Sequence, residues 1–138
     1  MGIDTKGCVV TENKDVFKIA EIVNNWWIKV RKENNVTLSE FWKEDRKWAS
    51  PRIELAYSSG LNVFFKYKGE DRRIFVALDC DCDLQNYEEI NGNSCIWFSL
   101  GHWGSSVEIM QSLMEGFKEI GESYVDDNDC DDVDFYKI

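Results

Sequence analysis

Between Arg52 and Asp79 the chain alternates. Ile53, Leu55 and Tyr57, then Val63, Phe65 and Tyr67, then Ile74, Val76 and Leu78 fall on every second position. A strand turns successive side chains to opposite faces, so this period commits the stretch to strands with one buried side. Ser58-Ser59-Gly60 and Gly69-Glu70-Asp71 supply turn chemistry between the runs. A three-strand antiparallel meander is predicted. After the Asn91-Gly92 turn, Ser94 to Leu100 is apolar on both faces, which suits a central strand. Gly7 to Thr11 reads as a short first strand. Tyr124-Val125 and Phe135 to Ile138 are candidates for the last ones.

Two stretches carry the helical period instead. Val16, Ile19, Ala20, Val23, Trp26, Trp27 and Val30 recur at three-to-four spacing up to Glu33, with Phe17, Ile22 and Ile28 widening the stripe. Asn13 is the expected N-cap, and Asp15 sits in the first turn, where the helix dipole favours a carboxylate. Val107, Met110, Leu113, Met114, Phe117 and Ile120 form the second stripe. Ser105 to Glu108 opens it as a capping box and Gly121 closes it. Thr37 to Glu40 is another capping box, opening a short extra helix with Phe41, Trp42 and Trp48 that ends before Pro51. The expectation is one α+β domain over residues 1–138: an antiparallel sheet of four to six strands, two main amphipathic helices on one face and the short extra helix. Residues 122–138 form its acidic C-terminal segment.

Charge is unevenly spread. Residues 1–76 hold 14 Lys/Arg and 11 Asp/Glu, whereas residues 77–138 hold 2 and 15, so the net −10 arises entirely in the second half. Such a surface repels nucleic acid and anionic lipid and favours basic partners. The basic-aromatic cluster of Lys43, Arg46 and Lys47 with Trp42 and Trp48 is better read as a solvated helix face over buried Trp. No apolar leader and no membrane span is expected: Lys6 and Glu12 interrupt the start, and the longest uncharged run, Ile90 to Val107, is full of Gly, Ser and Asn. The five cysteines, Cys8, Cys80, Cys82, Cys95 and Cys130, lack C-x-x-C spacing and there is one histidine. A zinc ligand pattern is therefore missing, and a cytoplasmic protein with reduced thiols is expected.

Two acidic stretches stand out. Asp79, Asp81 and Asp83 alternate with Cys80 and Cys82, and six of the nine residues from Asp126 to Asp134 are aspartates (Asp126, Asp127, Asp129, Asp131, Asp132, Asp134). Continuing the strand through Leu78 would turn the two thiols inward beside Ile74 and Val76, with the carboxylates outward. An EF-hand loop started at Asp79 has Leu84 and Ile90 where Gly and Glu are needed. Starts at Asp81 and Asp127 fail in the same way. No metal ligand set or cofactor is assigned. His102, between Gly101 and Trp103, is the sole imidazole; a pairing with Cys95 or Cys8 is one option and a structural hydrogen bond the other. No nucleophile elbow, phosphate loop or zinc-protease motif occurs, so no catalytic residue is assigned.

The expected function is that of a small acidic, non-enzymatic binding protein of the inhibitor kind, comparable to immunity proteins or phage anti-defence proteins. It would dock its acidic half, with Trp103 and Tyr136 as nearby aromatic anchors, on a basic protein partner without contacting nucleic acid or membrane. The alternative is a small-molecule or divalent-metal domain, possibly an enzyme, built from Trp97, His102, Trp103 and the carboxylates of 79–83.

Overall fold

The computed structural model describes residues 4–33, 52–56, 60–126 and 135–138. The elements run β1 (Asp4–Val10), α1 (Val16–Glu33), β2 (Arg52–Ala56), β3 (Gly60–Tyr67), β4 (Glu70–Asp81), a single 3-10 turn (Glu88–Ile90), β5 (Ser94–Gly101), α2 (Ser106–Phe117), β6 (Glu122–Asp126) and β7 (Phe135–Lys137). The strands make one antiparallel sheet in the order β2-β3-β4-β5-β1-β6-β7. The α+β class and the meander β2-β3-β4 are as expected, and β5 occupies the middle of the sheet. The candidate strand at Phe135 to Ile138 is the three-residue β7, the seventh strand among the described residues. The predicted extra helix at 37–50 lies outside the described residues.

The main core forms where both helices cover one face. Ile19, Ile22, Val23, Trp26, Trp27 and Val30 of α1 pack with Ile109, Met110, Leu113, Met114 and Phe117 of α2. Beneath them lie Val63, Phe65, Ile74, Val76, Ile96, Phe98 and Val125 of the sheet. Trp26 meets Phe65 edge-on at 5.4 Å, and Phe98 meets Phe117 at 4.8 Å. Gly7 lets α2 descend onto β1, since a Cβ there would press on the sulfurs of Met110 and Met114 at 2.8 Å. Three local expectations are corrected. Asp15, not Asn13, caps α1: its carboxylate accepts from Phe17 N at 3.0 Å, while Asn13 Oδ1 accepts from Asp15 N. Phe17 does not widen the buried stripe but is 85 % exposed. Ser105 precedes α2 without a side-chain cap bond, and Glu108, which would complete a capping box, pairs instead with Lys68 at 3.0 Å.

The other face of the sheet carries a second, smaller core. Cys8, Cys82, Leu84, Cys95, Tyr124 and Phe135 are buried there, with Val10, Cys80, Tyr87, Ile90 and Trp97 packed around them. The cover is the β4–β5 connection. Tyr87 leans on Tyr124 with ring centres 4.8 Å apart, and Asn86 Nδ2 donates to the Phe135 carbonyl at 2.6 Å.

Candidate functional site

Asp79, Asp81 and Asp83 stand at the edge of this second core, and the reason is a break in β4. Its register with β5 pairs Ala77 with Trp97 but Cys80 with Cys95, so Leu78 and Asp79 together oppose Ile96. The extra residue is a β-bulge, and it reverses the alternation beyond it. Cys80 and Cys82 are turned inward as expected, yet to the face opposite Ile74 and Val76. The carboxylates of Asp79, Asp81 and Asp83 are exposed.

Past the bulge, residues 82–93 fold into a fixed lobe. Leu84, fully buried, is held at both backbone groups by one side chain: its N donates to Asn91 Oδ1 at 2.7 Å and its O accepts from Asn91 Nδ2 at 3.2 Å. Cys82 N donates to Asn93 O, Gly92 N to Cys82 O, and Ile90 N to Tyr87 O. Glu88 and Glu89 project from the 3-10 turn, both exposed. The lobe and its stem thus present five carboxylates, Asp79, Asp81, Asp83, Glu88 and Glu89, none within ion-pair distance of a cation among the described residues. The cation beside the stem, Lys14, donates to the Cys80 carbonyl at 3.4 Å.

Beneath the lobe the thiols touch one another. Cys8, Cys82 and Cys95 pack in one cluster, where the neighbouring Cys8 thiol, with Lys14 and Cys82, lowers Cys95 below its ordinary 9.0 against the opposing effect of burial. Cys8 is pushed far up by the same contact with Cys95 and by burial, and burial also raises Cys80 and Cys82. All four are free. No group of three or more His, Cys, Asp or Glu among the described residues is arranged to hold a metal ion.

His102 and Trp103 lie elsewhere. Asp81 and Arg72 mark opposite ends of β4, about 30 Å apart at ~3.3 Å per residue. The bend carrying His102 and Trp103 closes over the Arg72 end. Arg72, only 5 % exposed, donates to the Gly101 and Trp103 carbonyls at 2.9 and 3.0 Å, and its guanidinium stacks 3.9 Å from the Trp103 ring centre. Burial lowers the Arg72 pKa, and Glu70 opposes that shift. His102 Nδ1 is 2.6 Å from Thr5 Oγ1, which donates to Ser106 Oγ at 3.0 Å. The imidazole therefore fastens β1 to the start of α2 on the helix-covered face, whereas Cys8 and Cys95 point to the other, so no His–Cys pair forms. Trp97 stays with the acidic stem, its Nε1 donating to the Asp81 carbonyl at 3.4 Å. The structure does not gather Trp97, His102, Trp103 and the 79–83 carboxylates into one pocket.

The C-terminal residues divide. Asp126 is 4 % exposed, opposite Lys6 on β1, and is not part of the presented acid. Tyr136 turns to the helix face, where its Oη accepts from Gln111 Nε2 at 2.6 Å. Asp127, Asp129, Asp131, Asp132 and Asp134 lie outside the described residues. Sequence reasoning missed Glu88 and Glu89, whose presentation depends on how the lobe folds. It also missed Arg72, although the alternation that buries Ile74 and Val76 places Arg72 on the same face. No family model, curated protein or solved structure matches the chain.

Proposed function

We propose that this protein is a non-enzymatic binding protein of the inhibitor or immunity kind, which docks an acidic surface on a basic site of a protein partner. The observation that carries the reading is the lobe: exposed, unpaired carboxylates on a backbone held from beneath by Leu84, Asn91 and the thiol core. Mutual repulsion among five like charges is a standing cost to the fold, and a cationic partner relieves it. A pre-ordered loop also loses less conformational entropy on docking than a flexible one, so more of the electrostatic attraction appears as affinity. Complementary charge further speeds encounter and makes binding sensitive to salt.

The test is capture from source-cell lysate on immobilised protein at about 50 mM and about 500 mM salt, across which the Debye length falls severalfold. A basic protein retained at low salt and released at high salt is expected. A variant with D79N, D81N, D83N, E88Q and E89Q should lose most of that retention and flatten the salt dependence. A second variant, with Asn at 127, 129, 131, 132 and 134, reports the share carried by the tail. A retained partner whose affinity is the same for both variants and the parent would sink the reading.

A further inference from the structure

We infer that Cys80 and Cys95 form an oxidisable dithiol, a modification site that a peroxide converts into a cross-strand disulfide bracing the lobe. The two residues face each other directly in the β4–β5 ladder, and both side chains enter the second core. Directly opposed residues of an antiparallel pair have Cα atoms about 4.5–5.5 Å apart. A disulfide accepts about 4.4–6.8 Å. The bulge creates the match: with the unbroken register of Ile74–Ala77, Cys80 would lie opposite Ser94 with its thiol on the other face. Other pairings fit less well. Cys8 faces Trp97, and Val10 faces Cys95, so Cys8 is diagonal to Cys95 at about 7–8 Å between Cα atoms. Cys82 lies beyond the end of β4 and has no ladder partner.

Access is one-sided. Cys80 is partly exposed, while Cys95 is fully buried. Cys80 therefore meets the oxidant: its thiolate attacks one peroxide oxygen, the O–O bond breaks, and hydroxide leaves and is protonated to water. Cys80 is then a sulfenic acid. Cys95 gives up its proton, its sulfur attacks the Cys80 sulfur, the S–O bond breaks, and the second oxygen leaves as water. Two thiols lose two electrons and two protons, and one peroxide becomes two waters. The neighbouring Cys8 and Cys82 thiols and Lys14, which ease ionisation of Cys95, suit it to this second, resolving step. Burial raises Cys80, so a slow stoichiometric oxidation is expected rather than peroxidase turnover. The disulfide would close residues 81–94 into a covalent loop and tie the acidic lobe to the central strand. This inference stands independently of what the lobe binds.

The experiment treats the full chain with hydrogen peroxide, blocks remaining thiols after denaturation, and maps linked peptides by mass spectrometry. The expected product is lighter by two hydrogens, joins the peptides of Cys80 and Cys95, and leaves Cys8, Cys82 and Cys130 open to alkylation. Amide exchange across 82–93 should slow at least tenfold relative to the reduced protein. C95A should leave Cys80 as a sulfenic acid trapped by dimedone. Peroxide-treated wild type with all five cysteines still alkylated, or with its main cross-link through Cys8, Cys82 or Cys130, would overturn the inference whatever the behaviour of the variants.

Discussion

Gly121 lies four residues beyond the end of α2 at Phe117, and its φ is not positive, so it is not the helix-ending glycine that the sequence suggests. It is needed for space. A Cβ there would collide with the Val10 carbonyl oxygen, at the corner where the chain leaves α2 to pair β6 with β1. Backbone on both sides cannot yield as a flexible side chain would. G121A is therefore expected to destabilise the protein by about 1–3 kcal/mol, read as a lower urea midpoint. Gly116 gives the contrast. Its Cβ would meet Ile22 Cγ2 at an ordinary 3.6 Å on the groove between the helices. G116A is expected to stabilise by about 0.5–1 kcal/mol, because a helical glycine forfeits backbone entropy without any packing return. The two glycines are indistinguishable as letters in the sequence; only the approach of β1 separates them.

At the scale of elements the lobe is the part least visible in the sequence. Its hinge is a bulge between Ala77 and Cys80, and nothing in Val76-Ala77-Leu78-Asp79-Cys80 departs from strand-like alternation. Period two gave the right burial for the thiols and the wrong face. The cap of α1 shifted from Asn13 to Asp15 for a related reason: both residues accept from a backbone N–H two positions on, and the sequence does not rank them. The meander, the central β5 and the two helical stripes were legible because each repeats its signal over many residues. Asn91 offers a direct check on the lobe. N91A removes both bonds to the Leu84 backbone and is expected to cost about 1–2 kcal/mol, with amide exchange fastest across 82–93. The core beneath should also respond to alkali. Cys8 is raised by its contact with Cys95 and by burial, and Cys82 and Tyr124 are raised chiefly by burial, so the native state holds their protons more tightly than the unfolded chain. Their contribution is complete below the ordinary thiol range and is lost as pH rises above it. Each group that stays protonated should cost about 1.4 kcal/mol per pH unit there. A urea midpoint that falls from pH 8 to 10.5 in the wild type, and falls less steeply in C8A, is the expected result.

For the whole molecule, the imbalance of charge sets how stability responds to salt. The net charge is −10, and the excess lies in the second half of the chain. The ion pairs among the described residues, such as Lys18 with Glu119, Lys68 with Glu108 and Lys137 with Glu122, are solvent-exposed pairs of 3.0–3.3 Å. Exposed pairs contribute little, about 0–1 kcal/mol each. Against them stand Asp79, Asp81, Asp83, Glu88 and Glu89, exposed within eleven residues of chain and without a cation in ion-pair reach among the described residues. Folding gathers these charges, whereas the unfolded chain spreads them, so repulsion weighs more on the native state. Salt screens repulsion and attraction alike, and here repulsion is the larger sum. The urea midpoint is therefore expected to rise between about 0.05 and about 0.5 M NaCl, by the equivalent of about 1 kcal/mol. Neutralising Asp79, Asp81 and Asp83 to Asn should raise stability at low salt and remove part of that rise, because the variant begins with less repulsion to screen. A midpoint that falls with salt in the wild type would mean that the surface ion pairs outweigh the acidic lobe. The lobe would then be a tolerated feature of the fold rather than a strained surface awaiting a cationic partner.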